Sequence, residues 1–234
     1  SFVAFDDEEP IGVIMGGLDE NYEGYKTLRC GALCVKPEYR KHGVAQALFN
    51  LHKELAGNLG CERLYLEVIQ GNVKAINFYF KNGYKILSDI IYFELNHLEN
   101  LKTFDTSNLD IRELSIEAVE EIHNSVVKHH LNFQGRFSYM KKIPVLKSYG
   151  IYQEGELVSV MSAVPSGKVF YLYTKEAYRN QGYAKALLSN YAKGFTLNKL
   201  AISFSYVDSL KVFLMKNGFT KSFVQQYDMI INLK

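Results

Sequence analysis

The stretch "VKPEYRKHGVAQALFNLHKEL", residues 35–55, decides the fold because it returns as "TKEAYRNQGYAKALLSNYAKG", residues 174–194. Tyr39, Arg40, Gly43, Ala45, Ala47 and Leu48 recur as Tyr178, Arg179, Gly182, Ala184, Ala186 and Leu187, each pair 139 positions apart. An apolar, strand-like run precedes each copy. After the glycine, Val44, Ala47, Leu48, Leu51 and Leu55 repeat at helical spacing. The first N–H groups of a helix have no intrahelical partner and point outward at its positive dipole end, so a glycine turn there can cradle a phosphate. Gly43 lets the backbone come close, Arg40 and Lys41 add charge, and Ala45 is small enough not to obstruct a ligand. One such pattern is weak, since most are solvated charges before a helix. Two copies in one strand–turn–helix context are a stronger signal.

The repeat extends outward from this junction. "SFVAF" and "PIGVIMGG" flank the polar turn "DDEE" as a hairpin, and "TLRCGALCVK" follows as a strand. In the second half "SYGIYQ", "EGE", "LVSVMSAV" and "VFYLYTK" stand in the same order. Past each junction helix come a strand ("RLYLEV", "LAISF"), a second helix and a shared "KNG" whose Gly83 and Gly218 sit as C-cap glycines do. "YKILSDIIYFEL" and "FTKSFVQQYDMIINL" close the halves as long strands, so the order β-β-β-α-β-α-β-β is expected twice. The second half alone carries a preceding strand, "LDIREL", and helix, "SIEAVEEIHNSVVKHH", opened by Ser115 as N-cap. The polar segment 98–107 reads as a linker between domains at 1–97 and 108–234.

Bulk numbers narrow the function classes. At 234 residues and 47% hydrophobic content the chain can build two cores. A net charge of +2 without a Lys/Arg-rich run argues against nucleic-acid and membrane partners and for a small or locally charged one. Three cysteines, Cys30, Cys34 and Cys61, have no CxxC spacing, so reduced thiols in a cytoplasmic protein are expected, with no disulfide framework and no zinc site. His123, His129 and His130 read as solvated histidines at a helix end rather than metal ligands, and His42 as exposed. The chain opens on Ser1, directly in a strand-like segment. The first half then lacks the strand and helix that precede the second hairpin, and cover for its sheet is expected from a segment before Ser1, a partner chain, or the "HHLNFQGRF" loop.

With "RKHGVA" and "RNQGYA" matching Q/R-x-x-G-x-G/A between a strand and a helix, the sequence resembles the GNAT superfamily of N-acetyltransferases. A second family signature, N-x-x-A-x-x-x-Y before G-F/Y, is matched by Asn72, Ala75, Tyr79, Gly83 and Tyr84 of "NVKAINFYFKNGY". Both motifs stand in order, and the resemblance runs over nearly the whole chain as a tandem pair. It implies two α+β GNAT folds, each a mixed, largely antiparallel sheet flanked by helices. It also implies acetyl-CoA as cofactor, lying between splayed strands. The turn Arg40, Lys41, His42, Gly43, Val44 and Ala45 would hold the pyrophosphate, and Asn72, Ala75 and Tyr79 would line the pantetheine arm. Backbone N–H groups of Leu33, Cys34 and Val35 would polarise the thioester carbonyl.

Acyl transfer to an amine needs a deprotonated nucleophile and a protonated leaving thiolate. Glu67 lies on the strand face opposite Leu66 and Val68, where an exposed glutamate is the commoner case; its spacing to Tyr79 resembles the base and acid pair of the family's ribosomal-protein N-terminal acetyltransferases. A phenol near pKa 10 can protonate a thiolate near 8.5, which suits Tyr79, although packing is the plain reading in a chain of 17 tyrosines. Asn72 serves as a pantetheine contact, a helix cap, or both. The second half keeps the junction but has Leu214 for Tyr79, Val207 for Asn72, and Ile202 or Ser203 for Glu67. The resemblance thus implies that the first half is catalytic and the second degenerate. The reaction would move an acetyl group to a primary amine of a small-molecule or peptide acceptor, in a monomer or homodimer. The alternative is a catalytically inactive CoA-binding or scaffolding protein.

Overall fold

A computed structural model describes residues 1–126 and 130–233. Two compact units divide the chain: Ser1–Asp89 with Gln226–Lys234, and Ile90–Gln225. In the first, β1 (Phe2–Asp6), β2 (Glu9–Tyr22) and β3 (Tyr25–Val35) form an antiparallel meander. After α1 (Val44–Asn58), β4 (Arg63–Ile69) pairs parallel to β3. Helix α2 (Val73–Lys81) then leads into β5 (Lys85–Leu95).

The core of this unit lies under the two helices. Leu48, Phe49 and Ala56 from α1 and Ile76 and Tyr79 from α2 pack on Leu64, Leu66 and Val68, the alternate residues of β4. Asn72 opens α2 by accepting a hydrogen bond from the Ala75 N–H at 3.2 Å, and Gly83 ends it at φ 92°, a left-handed conformation natural to glycine. On β1 and β2, Val3, Phe5 and Met15 are exposed.

The second unit begins within β5, at Ile90, and continues through α3 (Glu99–Lys102), β6 (Asp110–Leu114), α4 (Ile116–Val126), α5 (Phe137–Met140), β7 (Lys147–Gln153), β8 (Glu156–Ala163) and β9 (Lys168–Thr174). Next come α6 (Tyr183–Gly194), β10 (Leu200–Ser205), α7 (Asp208–Lys216) and the short β11 (Thr220–Lys221). Strands β6 to β9 pair antiparallel in order, and β10 pairs parallel to β9. One apolar cluster sits under α6 and α7, around Leu187, Leu188, Tyr191 and Leu214; another sits under α4 and α5, around Val119, Met140 and Val160. No helix among the described residues is long and apolar enough to cross a membrane.

The closing strands depart from the sequence reading. "FTKSFVQQYDMIINL" is β11, a break, and β12 (Gln226–Asn232), and β12 runs antiparallel to β4 of the first unit along seven registered pairs. Residues Ile90–Leu95 of β5 pair with β10 of the second. Each half of the sequence thus contributes a closing strand to the other unit's sheet. Non-local strand pairing leaves no trace in local periodicity, which is why sequence order misassigns it. Segment 98–107 also differs from a bare linker: it forms α3, and Leu98 and Leu101 are buried in the second unit's core.

Candidate functional site

The two repeated junctions have the same backbone. Lys36 and Lys175 share φ −52°, ψ 141°; Lys41 and Asn180 turn to φ 68° and 63°; Gly43 and Gly182 cap α1 and α6 at φ 83° and 88°. The repeated arginines fold back: Arg40 Nε donates to the Val35 carbonyl at 3.1 Å and Arg179 Nε to that of Thr174 at 3.2 Å. Lys36 pairs with Glu9 at 2.5 Å and Lys175 with Glu156 at 2.7 Å. Tyr39 donates to Asp6 at 3.1 Å and Tyr178 to Glu156 at 2.7 Å. Repetition of Tyr and Arg is thereby explained: they fasten the turn to its strand and to the preceding hairpin.

What lies before each glycine differs. A Cβ on Gly43 would meet nothing within 4 Å, so the start of α1 opens onto empty space, and the first N–H groups of the helix face it. A Cβ on Gly182 would stand 3.0 Å from the Phe104 ring. Phe104 is held there by its carbonyl, which accepts from Lys193 Nζ at 2.9 Å, and by the Lys185 ammonium 5.0 Å from the ring centroid. The first junction is open, whereas the second has the Phe104 ring of its own chain against it.

Strand β3 pairs with β4 only from Thr27↔Arg63 to Cys30↔Leu66. Its register against β2 then slips, Met15↔Ala32 following Gly16↔Cys30, which makes Gly31 the extra residue of a bulge. Beyond it β3 continues with β2 alone, through Leu33, Cys34 and Val35, while β4 continues with β12. The two strands splay, and their facing edges carry backbone groups that no ladder uses. In the second unit β9 and β10 pair only at Ala201↔Lys168 and Ile202↔Val169 and then diverge likewise.

Glu67 and Tyr79 flank the first splay from opposite faces of β4. Tyr79 packs on the helix side with Leu66 and Val68, its ring 5.4 Å from that of Tyr84, beside the Cys30 thiol. Burial first, and the neighbouring Cys30 second, push the phenol well above its usual range, and burial pushes Cys30 up to about 11. Both stay protonated at neutral pH. On the other face the half-buried Glu67 accepts a hydrogen bond from the Tyr65 hydroxyl at 2.8 Å, and the same hydroxyl is hydrogen-bonded to Asp228 of β12. Ser88 Oγ donates to the other Asp228 oxygen at 2.9 Å. Asp228 stands directly across from Glu67 in the ladder and has no exposed surface.

Of the residues singled out in the sequence, Arg40 to Ala45 stand at the start of α1, Leu33 to Val35 on the splayed strand, Asn72 and Ala75 at the cap of α2, and Tyr79 one further turn along; Leu33, Val44, Ala75 and Tyr79 pack in one apolar cluster. Asn72 takes the capping role here. His42 is exposed. His123 departs from expectation: it is half-buried, hydrogen-bonded through Nδ1 to the Tyr171 hydroxyl at 2.9 Å and packed on Phe137, because the helix turns that face toward an aromatic cluster. His129 lies outside the described residues. Asp228, Tyr65 and Ser88 were missed. Alternation on β4 does put Tyr65 on the face of Glu67, but Asp228 is visible only once β12 is paired.

Comparison with known proteins bears on the same unit. Residues 1–84 match the model of the acetyltransferase (GNAT) family. The match covers the first 84 of the chain's 234 residues. Over 98% of the chain, the structure is similar to 81% of a tandem GNAT protein from the clavulanic acid biosynthesis pathway, with a TM-score of 0.71 and 14% identity. A GCN5-related N-acetyltransferase from Sphaerobacter thermophilus matches 97% of the chain over 78% of its own, with a TM-score of 0.68 and 13% identity. A functionally unknown conserved protein from Staphylococcus epidermidis matches 88% over 84%, with a TM-score of 0.62 and 11% identity. The chain has a tandem GNAT fold.

Proposed function

We propose that the first unit is an acetyl-CoA-dependent N-acetyltransferase acting on a primary amine, and that the second unit binds no CoA. The observation that carries this reading is the splay of β3 from β4 beyond Cys30 and Leu66, standing beside the open, glycine-capped start of α1. Acetyl-CoA supplies the activated acyl group as a thioester. The N–H groups at the start of α1 would hold its diphosphate, with Gly43 leaving room and Arg40 fixing the turn. Asn72 and Ala75 border the pantetheine path, and the edge of β3 at Leu33 to Val35 offers N–H groups where negative charge develops on the carbonyl oxygen.

Glu67 would take the proton that the ammonium must lose before its nitrogen can bond to carbon, the nitrogen's second proton would pass to solvent once that bond has formed, and Tyr79 would give a proton to the thiolate on loss of the C–S bond. Their opposite faces keep the group that accepts the amine's proton apart from the group that protonates the thiolate. Tyr79 is then reprotonated from solvent, and the net reaction yields amide, free thiol and one proton. In the second unit Leu214 and Val207 replace the acid and the amide, and Phe104 fills the junction.

The test is thiol release from acetyl-CoA with a free-N-terminus peptide, Nα-acetyl-lysine amide, spermidine or a small aromatic amine. Amine-dependent release is expected with at least one of the four. CoA binding without turnover on all of them overturns the catalytic reading in favour of a CoA-binding scaffold.

A further inference from the structure

We propose that Asp228, carried by the chain's last strand, is a positioning residue and proton partner for Glu67, acting through Tyr65. This rests on the acetyl-transfer reading above and adds to it a function for a buried carboxylate that neither GNAT motif contains. The geometry is a short chain of contacts on one face of two paired strands. Residues directly opposite in an antiparallel ladder share a face, as do residues two apart on one strand, so Asp228, Glu67 and Tyr65 converge. Two carboxylates in that relation repel each other unless something stands between them. The Tyr65 hydroxyl does, in contact with both.

A phenol carries a single hydrogen, and here it lies between two acceptors, with Ser88 holding the far oxygen of Asp228. The arrangement therefore has two settings. When Glu67 is a carboxylate, Tyr65 donates to it. Once Glu67 has taken a proton from the amine, its own O–H donates to the Tyr65 oxygen, and Tyr65 turns its hydrogen to Asp228. Moving both hydrogens along these bonds carries the proton from Glu67 to Asp228 and leaves Tyr65 neutral and Glu67 a carboxylate; no other reactant is consumed. A general base must be accommodated in both of its protonation states, and this chain of contacts supplies a partner for each. It also limits the Glu67 rotamers, which locates the proton acceptor within reach of the nucleophile.

The test uses the full chain, acetyl-CoA and whichever of the four acceptors above turns over fastest, with Asp228→Asn, Tyr65→Phe and Glu67→Gln made singly and in pairs. Asp228→Asn preserves shape and loses the carboxylate; Tyr65→Phe preserves the ring and loses the shared hydrogen. Each is expected to lower kcat about 10- to 100-fold while KM for acetyl-CoA stays within about twofold. Because both act through Glu67, neither should lower kcat further in a Glu67→Gln background. A merely structural residue would lower activity by the same factor in both backgrounds, and that result overturns the proposal. So does a kcat within twofold of wild type for both single variants. Should Asp228→Asn fail to fold, Tyr65→Phe alone decides by the same criteria. Wild-type chain that releases no thiol with any acceptor overturns the acetyl-transfer reading, and this proposal with it; wild-type turnover with unaffected variants overturns this proposal alone.

Discussion

Tyr79 has two functions in one side chain: it fills the core under α2 and presents a protonated hydroxyl beside Cys30 at the strand splay. Tyr79→Phe keeps the packing and is expected to retain CoA affinity while lowering turnover about 10²- to 10⁴-fold, which steady-state kinetics beside calorimetry checks. Burial without polar contact has the opposite character at His52. That ring is fully buried on α1 against Gly16, neither nitrogen meets a partner, and burial lowers its pKa to about 4. The folded state keeps His52 neutral while the unfolded chain protonates it near pH 6.5, so the unfolded state binds more protons between those values. Stability therefore falls as pH drops from about 6.5 to 4, by up to about 3 kcal/mol. Denaturant melts at pH 7 and pH 4.5 should show this loss in wild type and a smaller one in His52→Leu. The places of Gly43 at the cap of α1, Glu67 on β4 and Tyr79 on α2 were legible in sequence because motif spacing and strand alternation are local. Asp228 was not, since its partners Tyr65 and Ser88 lie 163 and 140 positions away.

At the scale of elements, one strand–turn–helix unit was used twice and kept open once. Of the repeated residues, Tyr and Arg fasten the turn, Gly caps the helix and Leu48 and Leu187 pack it, so the sequence repeat reports the architecture of the junction rather than its occupancy. Occupancy depends on Phe104, which lies 78 positions before Gly182 in a segment that reads as a linker. The helices after the junctions differ in the same sense. Tyr79 on α2 faces the splay, whereas its counterpart on α7, Leu214, is fully buried in the second unit's core. Leu214→Ala should cost about 2–5 kcal/mol of stability, seen in a denaturant melt, and leave kcat per folded molecule unchanged. Equal loss of kcat in Leu214→Ala and Tyr79→Phe at equal folded fraction would contradict the division of labour between the units.

At the scale of the molecule, the closing strands make each unit depend on the other half of the sequence. The tandem fold was legible from the repeat, because both halves preserve the order of strands and helices. The exchange was not, because "YDMIINL" reads as a strand whichever sheet receives it. β12 supplies Met229 to the first core, Asp228 to the face of Glu67, and Asn232 to Arg63 Nε at 3.1 Å. A chain ending at Gln225 should lose CoA binding and turnover together, through loss of the first unit's structure, which calorimetry and thermal melting would register. The claim on which all of this rests is that one open junction, at Gly43, holds the cofactor. Calorimetric titration with CoA tests it most directly: one site per chain, abolished in Gly43→Glu, whose side chain and negative charge enter the open space before α1 at a backbone cost of only about 1–2 kcal/mol. Two sites per chain, or unchanged affinity in a folded Gly43→Glu variant, would contradict it.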